Sequence, residues 1–165
     1  MARALRLSAR PAALADSAWL LRLRNDPATI AASRHQRAVE GWEHTVWLKR
    51  CLQDDARALM VVVHRGRRLG TYRLEGLGSA VVEVSLTVAP EWRGRGFARL
   101  IVALAVRQAR RHGYAGSAVL ASIRAENAPS LVAFLRNGFV ATGFSDGLIR
   151  MRAGTEGARD GRQSR

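Results

Sequence analysis

Apolar residues recur along this chain with two periods, and the switches between them lay out its elements. Residues 4–9 alternate and predict a first strand. Pro11 then precedes a helical stretch through Leu14, Trp19, Leu20 and Leu23, which Arg24-Asn25-Asp26-Pro27 breaks. A second helix is predicted over residues 40–52, where Trp42, Val46, Trp47, Leu48 and Cys51 form an apolar stripe. Residues 59–63 and 69–74 flank His64-Arg65-Gly66-Arg67-Arg68 as a hairpin, and after the turn at Leu77-Gly78-Ser79 a further strand runs over residues 81–88. Helical period is clearest next: Phe97, Leu100, Ile101, Leu104 and Ala105 share one face, Arg99, Arg107, Arg110 and Arg111 lie mostly off it, and Gly113 supplies a stop. A strand through Val119, Leu120, Ala121 and Ile123, a helix over about residues 129–136, and a strand pair at 139–144 and 148–152 complete an α/β order. Residues 1–152 thus read as a single domain. Residues 153–165, rich in Gly, Arg, Glu, Asp, Gln and Ser, read as a disordered basic tail.

Composition narrows the class. The 165 residues, 48% hydrophobic and 24% charged, suit one globular domain with a substantial core. No apolar run reaches the roughly 18 residues that cross a bilayer, and Arg3, Arg6 and Arg10 interrupt the N-terminus where a signal peptide needs a continuous apolar core. Cys51 is the lone cysteine, so an internal disulfide or a cysteine zinc site is ruled out, and a cytoplasmic protein without membrane association is expected. The net charge of +14 is carried almost wholly by arginine, with Lys49 the single lysine. Such a balance favours anionic partners of any kind. A nucleic-acid module is disfavoured, because no recognition motif is present and the few aromatic residues are not interleaved with the basic ones as a stacking platform requires.

The candidate chemistry sits between residues 83 and 139. Arg93-Gly94-Arg95-Gly96-Phe97-Ala98 stands where an apolar strand hands over to a helix, and small residues there let backbone N–H groups approach an anion at the helix N-terminus. Downstream, a second strand is followed by Asn127, Ser130, Phe134 and Asn137-Gly138-Phe139. The two motifs, in this order, resemble the acetyl-CoA-binding halves of the GCN5-related N-acetyltransferases (GNAT). The resemblance implies a central mixed, mostly antiparallel sheet splayed between strands 4 and 5 and flanked by helices. It implies acetyl-CoA as co-substrate and no metal. The pyrophosphate would lie on Arg93 to Ala98, the pantetheine arm would pair with the backbone of Leu86, Thr87 and Val88, and Asn127, Ser130 and Phe134 would contact the arm from the other side. Where many members carry a thiolate-protonating tyrosine, this chain has Phe134, which donates nothing; water or Ser130 could supply that proton, and the acid stays unassigned.

For the base, Glu83 is the candidate: it lies within the apolar run Val81, Val82, Val84 and Leu86, where partial desolvation would make it a better proton acceptor. His35, His44 and His64 are rivals with no metal-like spacing. Residues 21–27, Glu43-His44 with Trp47, residues 69–74 and residues 83–86 are similar to the GNAT branch that acetylates nucleotide-linked amino-deoxy sugars, of the kind made in pseudaminic acid biosynthesis. That likeness implies acceptor contacts at Arg24, Asn25, His44, Trp47 and Arg73, and it allows the arginines of the 65–68 turn to meet acceptor phosphates. The alternatives are another amine (a protein N-terminus, an aminoglycoside, a polyamine) or an acetyl-CoA-binding protein without catalysis.

Overall fold

A seven-stranded sheet in the order β1-β2-β3-β4-β5-β7-β6 organises the computed structural model, which describes residues 7–112 and 117–154. The strands are β1 (Leu7–Pro11), β2 (Arg57–His64), β3 (Arg67–Glu75), β4 (Val81–Val88), β5 (Ala118–Arg124), β6 (Phe139–Ser145) and β7 (Leu148–Ala153). The helices are α1 (Ser17–Arg24), α2 (Pro27–Ala32), α3 (Gly41–Gln53), α4 (Phe97–His112) and α5 (Ala128–Leu135). All neighbouring strands pair antiparallel except β4 and β5, which run parallel. A parallel neighbour needs a crossover, and α4 provides it.

Strand alternation sends successive side chains to opposite sides, and each side has its own core. Val62, Tyr72, Leu74, Val82 and Val84 meet Ile101, Val102 and Ala105 of α4 on one side. Leu59 and Val61 meet Leu20, Leu48 and Cys51 of α1 and α3 on the other. The α4 stripe read from the sequence is the first of these contact faces. Of the α3 stripe only Trp47, Leu48 and Cys51 meet the second core, whereas Trp42 and Val46 are exposed, because the buried face of α3 is narrower than the run of apolar residues along it.

The β4–β5 ladder runs only from Val81↔Ala118 to Glu83↔Leu120. Beyond it β4 stays paired with β3 as far as Val88, and β5 stays paired with β7 as far as Arg124. The two strands therefore diverge while each keeps its outer partner, as the resemblance implied.

Two sequence expectations need correction. Arg24-Asn25-Asp26-Pro27 does end α1, but it also starts α2. Asp26 accepts from the Thr29 N–H at 3.0 Å as an N-cap, and Pro27 takes the first turn, where a missing N–H costs nothing. The tail also cannot begin at residue 153. Ala153 is buried in β7, paired with Phe139, and the Gly154 N–H bonds the Gly138 carbonyl at 3.0 Å. Residues 4–6 of the first strand, the stop at Gly113 and the tail from residue 155 lie outside the described residues.

One buried charge stabilises the entry to α1. Asp16 is 2% exposed, accepts from both Nη atoms of Arg10 at 2.8 Å and from the Ala13 N–H at 3.0 Å, and lies 3.5 Å from Arg68 Nε. The Arg10 hydrogen bonds hold its carboxyl below the usual range against the opposing effect of burial. A depressed folded pKa means the contribution is present above the unfolded carboxylate value and disappears as pH falls through the folded one, in the acid range below about 4. Asp16→Ala should cost about 2 kcal/mol in denaturant melts at pH 7. The deficit should shrink at pH 3, and a deficit independent of pH would mean the carboxylate's charge is not what stabilises the turn.

Candidate active site

The loop between β4 and α4 is shaped by two glycines. Gly94 and Gly96 have φ of 72° and 77°, in the left-handed region that side chains with a Cβ rarely adopt. The N–H groups of Gly94, Arg95, Gly96, Phe97 and Ala98 meet no protein acceptor among the described residues. Five donors at the N-terminus of a 16-residue helix form a concavity suited to a diphosphate.

Arg93 and Arg95, adjacent in sequence reading, have different tasks here. Arg93 donates through Nε to the Val88 carbonyl at 3.0 Å, and through Nη2 to Asp26 Oδ2 at 2.7 Å and Thr29 Oγ1 at 3.1 Å. Its guanidinium thus fastens the loop to β4 and α2, and its N–H bonds the Pro90 carbonyl at 3.3 Å, so Arg93 shapes the loop and the donors open to a ligand begin at Gly94. Arg95 is exposed, with its guanidinium carbon 5.5 Å from the Trp92 ring centroid. The end of β4 that leads into the loop presses on β3. A Cβ on Gly70 would stand 2.3 Å from the Thr87 carbonyl oxygen, so only glycine lets β3 lie this close to the end of β4.

Leu86, Thr87 and Val88 lie beyond the last β4–β5 pair, so their backbones have β3 on one side and the opened gap on the other. An extended ligand with amide groups can pair there as an added strand does. Across the gap, after β5, the Asn127 carboxamide oxygen caps α5 by accepting from the Ser130 N–H at 3.3 Å. Phe134 is 2% exposed and stacks edge-on against Phe139 at 4.8 Å between centroids, so the ring serves the core that seats α5. The Asn137 amide ties the same helix to α4, donating to the Arg99 carbonyl at 3.0 Å and the Ala133 carbonyl at 2.8 Å.

The opposite sheet face carries the acceptor candidates. Register places Glu83 beside Glu75 and Ser85 beside Arg73, with all four side chains on the α1–α3 side. The apolar surroundings expected for Glu83 do not arise. Alternation sends Val82 and Val84 to the α4 core, while the Glu83 side chain is 38% exposed and ion-paired with Arg34 Nη2 at 3.3 Å. From Arg73 a contiguous layer runs across α3 to α1. The Arg73 guanidinium lies 5.8 Å from the Trp47 ring centroid, and Trp47 lies 5.5 Å from His44. Burial pushes the His44 imidazole below its ordinary value, and the nearby Arg24 charge lowers it further.

Three nitrogen atoms in this layer are buried without a hydrogen-bond partner: Arg24 Nη1, His44 Nδ1 and Arg73 Nε. Buried polar groups are normally paired, so three orphans in one wall suit a ligand that supplies acceptors. Asn25 differs from its neighbours. Its amide donates to the Val39 carbonyl and accepts from the Val39 N–H, both at 2.8 Å, so both ends pin the segment after α2.

Sequence reading named only His35 in that segment, as a rival base, and the segment forms a strap across the gap. Arg34 reaches Glu83 on β4, and Arg124 at the end of β5 donates to the carbonyls of Ser33 at 3.3 Å and Arg34 at 2.8 Å. Arg37 closes the strap on α3 through Glu43 at 2.9 Å. The Arg37 hydrogen bond, with the Glu40 N–H, holds the Glu43 carboxyl down at about 2, which makes it a weaker proton acceptor. Nothing in residues 33–38 announces the contacts to Glu83 and Arg124, because they join positions 49 to 91 residues apart in the chain.

Comparison with known proteins bears on these features. A family model described as acetyltransferase (GNAT) domain matches residues 6–140. No curated protein sequence is similar enough to count as a match. Among solved structures, a domain from Methanocaldococcus jannaschii superposes with a TM-score of 0.80 at 19% identity, covering 90% of this chain and 97% of its own. Spermidine N-acetyltransferase from Vibrio cholerae, in complex with CoA and spermine, gives 0.76 at 20% identity over 88% of this chain and 94% of its own. Ribosomal-protein-alanine N-acetyltransferase from Brucella melitensis gives 0.71 at 24% identity over 88% and 98%.

Proposed function

Because the chain belongs to the GNAT acetyltransferase family, whose model spans residues 6–140, we propose that it acetylates the amino group of a nucleotide-linked amino-deoxy sugar. The observation that carries the acceptor reading is the trio of buried, unpartnered nitrogens on Arg24, His44 and Arg73. An acceptor bearing phosphate supplies the missing acceptor atoms and the negative charge, and guanidinium groups bind phosphate through paired, charge-assisted bonds. A polyamine would bring positive charge against Arg24 and Arg73, with the nearby carboxylates of Glu83, Glu43 and Glu75 already paired to Arg34, Arg37 and, for Glu75, Arg57 and Arg73 itself.

The donor side fits acetyl-CoA. The N–H groups of residues 94–98 would hold the diphosphate, and the backbones of Leu86, Thr87 and Val88 would pair with the amide-bearing arm, with Asn127 and Ser130 facing it. When bound, acetyl-CoA supplies a thioester whose carbonyl carbon accepts the amine. The protein's share is positioning in the gap, plus N–H groups of β4 that stabilise negative charge growing on the carbonyl oxygen. Glu83, on the acceptor face of the same strand, takes a proton from the amine, directly or through water. A thiol of pKa about 8.5 leaves as thiolate near neutral pH at a cost of only about 2 kcal/mol, so the lack of a donor on Phe134 is compatible with turnover.

The test is thiol release from acetyl-CoA with UDP-linked 4-amino sugars, free amino sugars, polyamines and N-terminal peptides offered in parallel. The nucleotide sugar should be the preferred amine by kcat/KM, and Arg24→Gln should raise its KM at least about tenfold by removing a charged phosphate contact. Preference for a polyamine or a peptide would overturn the acceptor reading and leave the donor reading standing.

A further inference from the structure

The β2–β3 hairpin lies at the donor end of the site. Ala89 at the end of β4 donates to the Leu69 carbonyl at 2.9 Å, and the Trp92 indole N–H donates to the Arg68 carbonyl at 3.1 Å. Arg67 therefore stands beside the diphosphate cradle, at the opposite end of β4 from Glu83. Its guanidinium carbon lies 5.2 Å from the Trp92 ring centroid, and that of Arg95 lies 5.5 Å from the same ring. Trp92 is itself fixed from below. His64 and Phe97 pack edge-on against it at 5.9 and 5.6 Å between centroids.

Two exposed guanidinium groups gathered on one indole repel each other, and no carboxylate pairs with either among the described residues. Arg68, the next residue of the hairpin, is engaged elsewhere, facing Asp16 and the Trp19 ring. Cation–π contact holds Arg67 and Arg95 in place and leaves their N–H groups available, an arrangement that receives a phosphate.

We propose that Arg67 and Arg95, held on Trp92, form a second phosphate site beside the cradle that binds the 3′-phosphate of coenzyme A and lets the enzyme select CoA over its 3′-dephospho form. This inference rests on the donor reading above. It moves Arg67 of the hairpin from the acceptor, where the sequence likeness allowed it, to the donor.

Calorimetric titration of the full chain with CoA and with 3′-dephospho-CoA tests it without any acceptor. The wild-type protein should bind CoA at least about tenfold more tightly, the worth of one charge-assisted phosphate contact. In Arg67→Gln, an exposed position whose change leaves both cores untouched, that ratio should fall to about twofold, and in the Arg67→Gln/Arg95→Gln pair it should vanish. Equal wild-type affinities, or a ratio unchanged in Arg67→Gln, would overturn the 3′-phosphate site and leave the cradle standing. Binding of neither nucleotide would overturn the cradle reading, and this inference with it. Raising the salt concentration should narrow the wild-type ratio, because an exposed phosphate contact is screened.

Discussion

Gly96→Asp should weaken acetyl-CoA binding by at least about a hundredfold while the chain still folds. Two effects add. A Cβ at φ 77° costs about 1–2 kcal/mol of backbone strain, because nothing stands within 4 Å to clash with it but the left-handed conformation itself is unfavourable. The carboxylate then faces a diphosphate across the cradle, and like-charge juxtaposition costs several kcal/mol, of which about 2.7 accounts for a hundredfold. Gly96→Ala separates the terms, since it carries the strain without the charge, and should lose much less affinity. Calorimetry with acetyl-CoA reads the binding, and thermal melts should show a drop of only a few degrees. Wild-type affinity in the Asp variant would remove the loop from the donor site.

Glu83→Gln should lower kcat on the preferred amine by about a hundredfold, within the range of a positioned general base, with the KM for acetyl-CoA little changed. The amide keeps the size and exposure of the side chain, so loss of folding is not expected at a position 38% exposed. Arg34→Gln distinguishes chemistry from scaffolding. It breaks the ion pair at 3.3 Å and leaves the carboxylate, and an exposed pair is worth at most about 1 kcal/mol, so turnover should move by no more than about fivefold. If both variants lose activity equally, the strap that Arg34 anchors is what matters and Glu83 is a structural partner. If Glu83→Gln retains turnover, the base lies elsewhere.

How much of this was legible beforehand depended on the range of the interaction involved. Elements carried by local pattern were read within a few residues. The β4 strand at residues 81–88 was read at its final bounds, and the arginine-flanked face of α4 was plain from its 3.6-residue period. Turn chemistry was read in part: Asn25-Asp26-Pro27 announced a break, and the N-cap it makes for α2 was missed because the helix is only six residues long and has no apolar stripe to reveal it. The environment of Glu83 was misread because counting apolar neighbours along a strand ignores alternation, which sends those neighbours to the other face.

By itself the sequence determined the core-facing stripe of α4, the glycine-shaped loop at its head and the order of strands and helices apart from α2, because each follows from a residue's own conformational preference or from period along one element. The tertiary structure decided which charged groups are free and which are spent. Arg93 is consumed by Asp26 and Asn25 by Val39, and Glu83 sits in an exposed ion pair with Arg34, whereas Arg24, His44 and Arg73 each bury one nitrogen with no partner, the Arg73 Nη2 pairing with Glu75, and Arg67 is carried to the donor end. Pairing over separations of 14 to 67 residues leaves no periodic trace, and a guanidinium in a sequence looks the same whether a carboxylate or an open cavity awaits it.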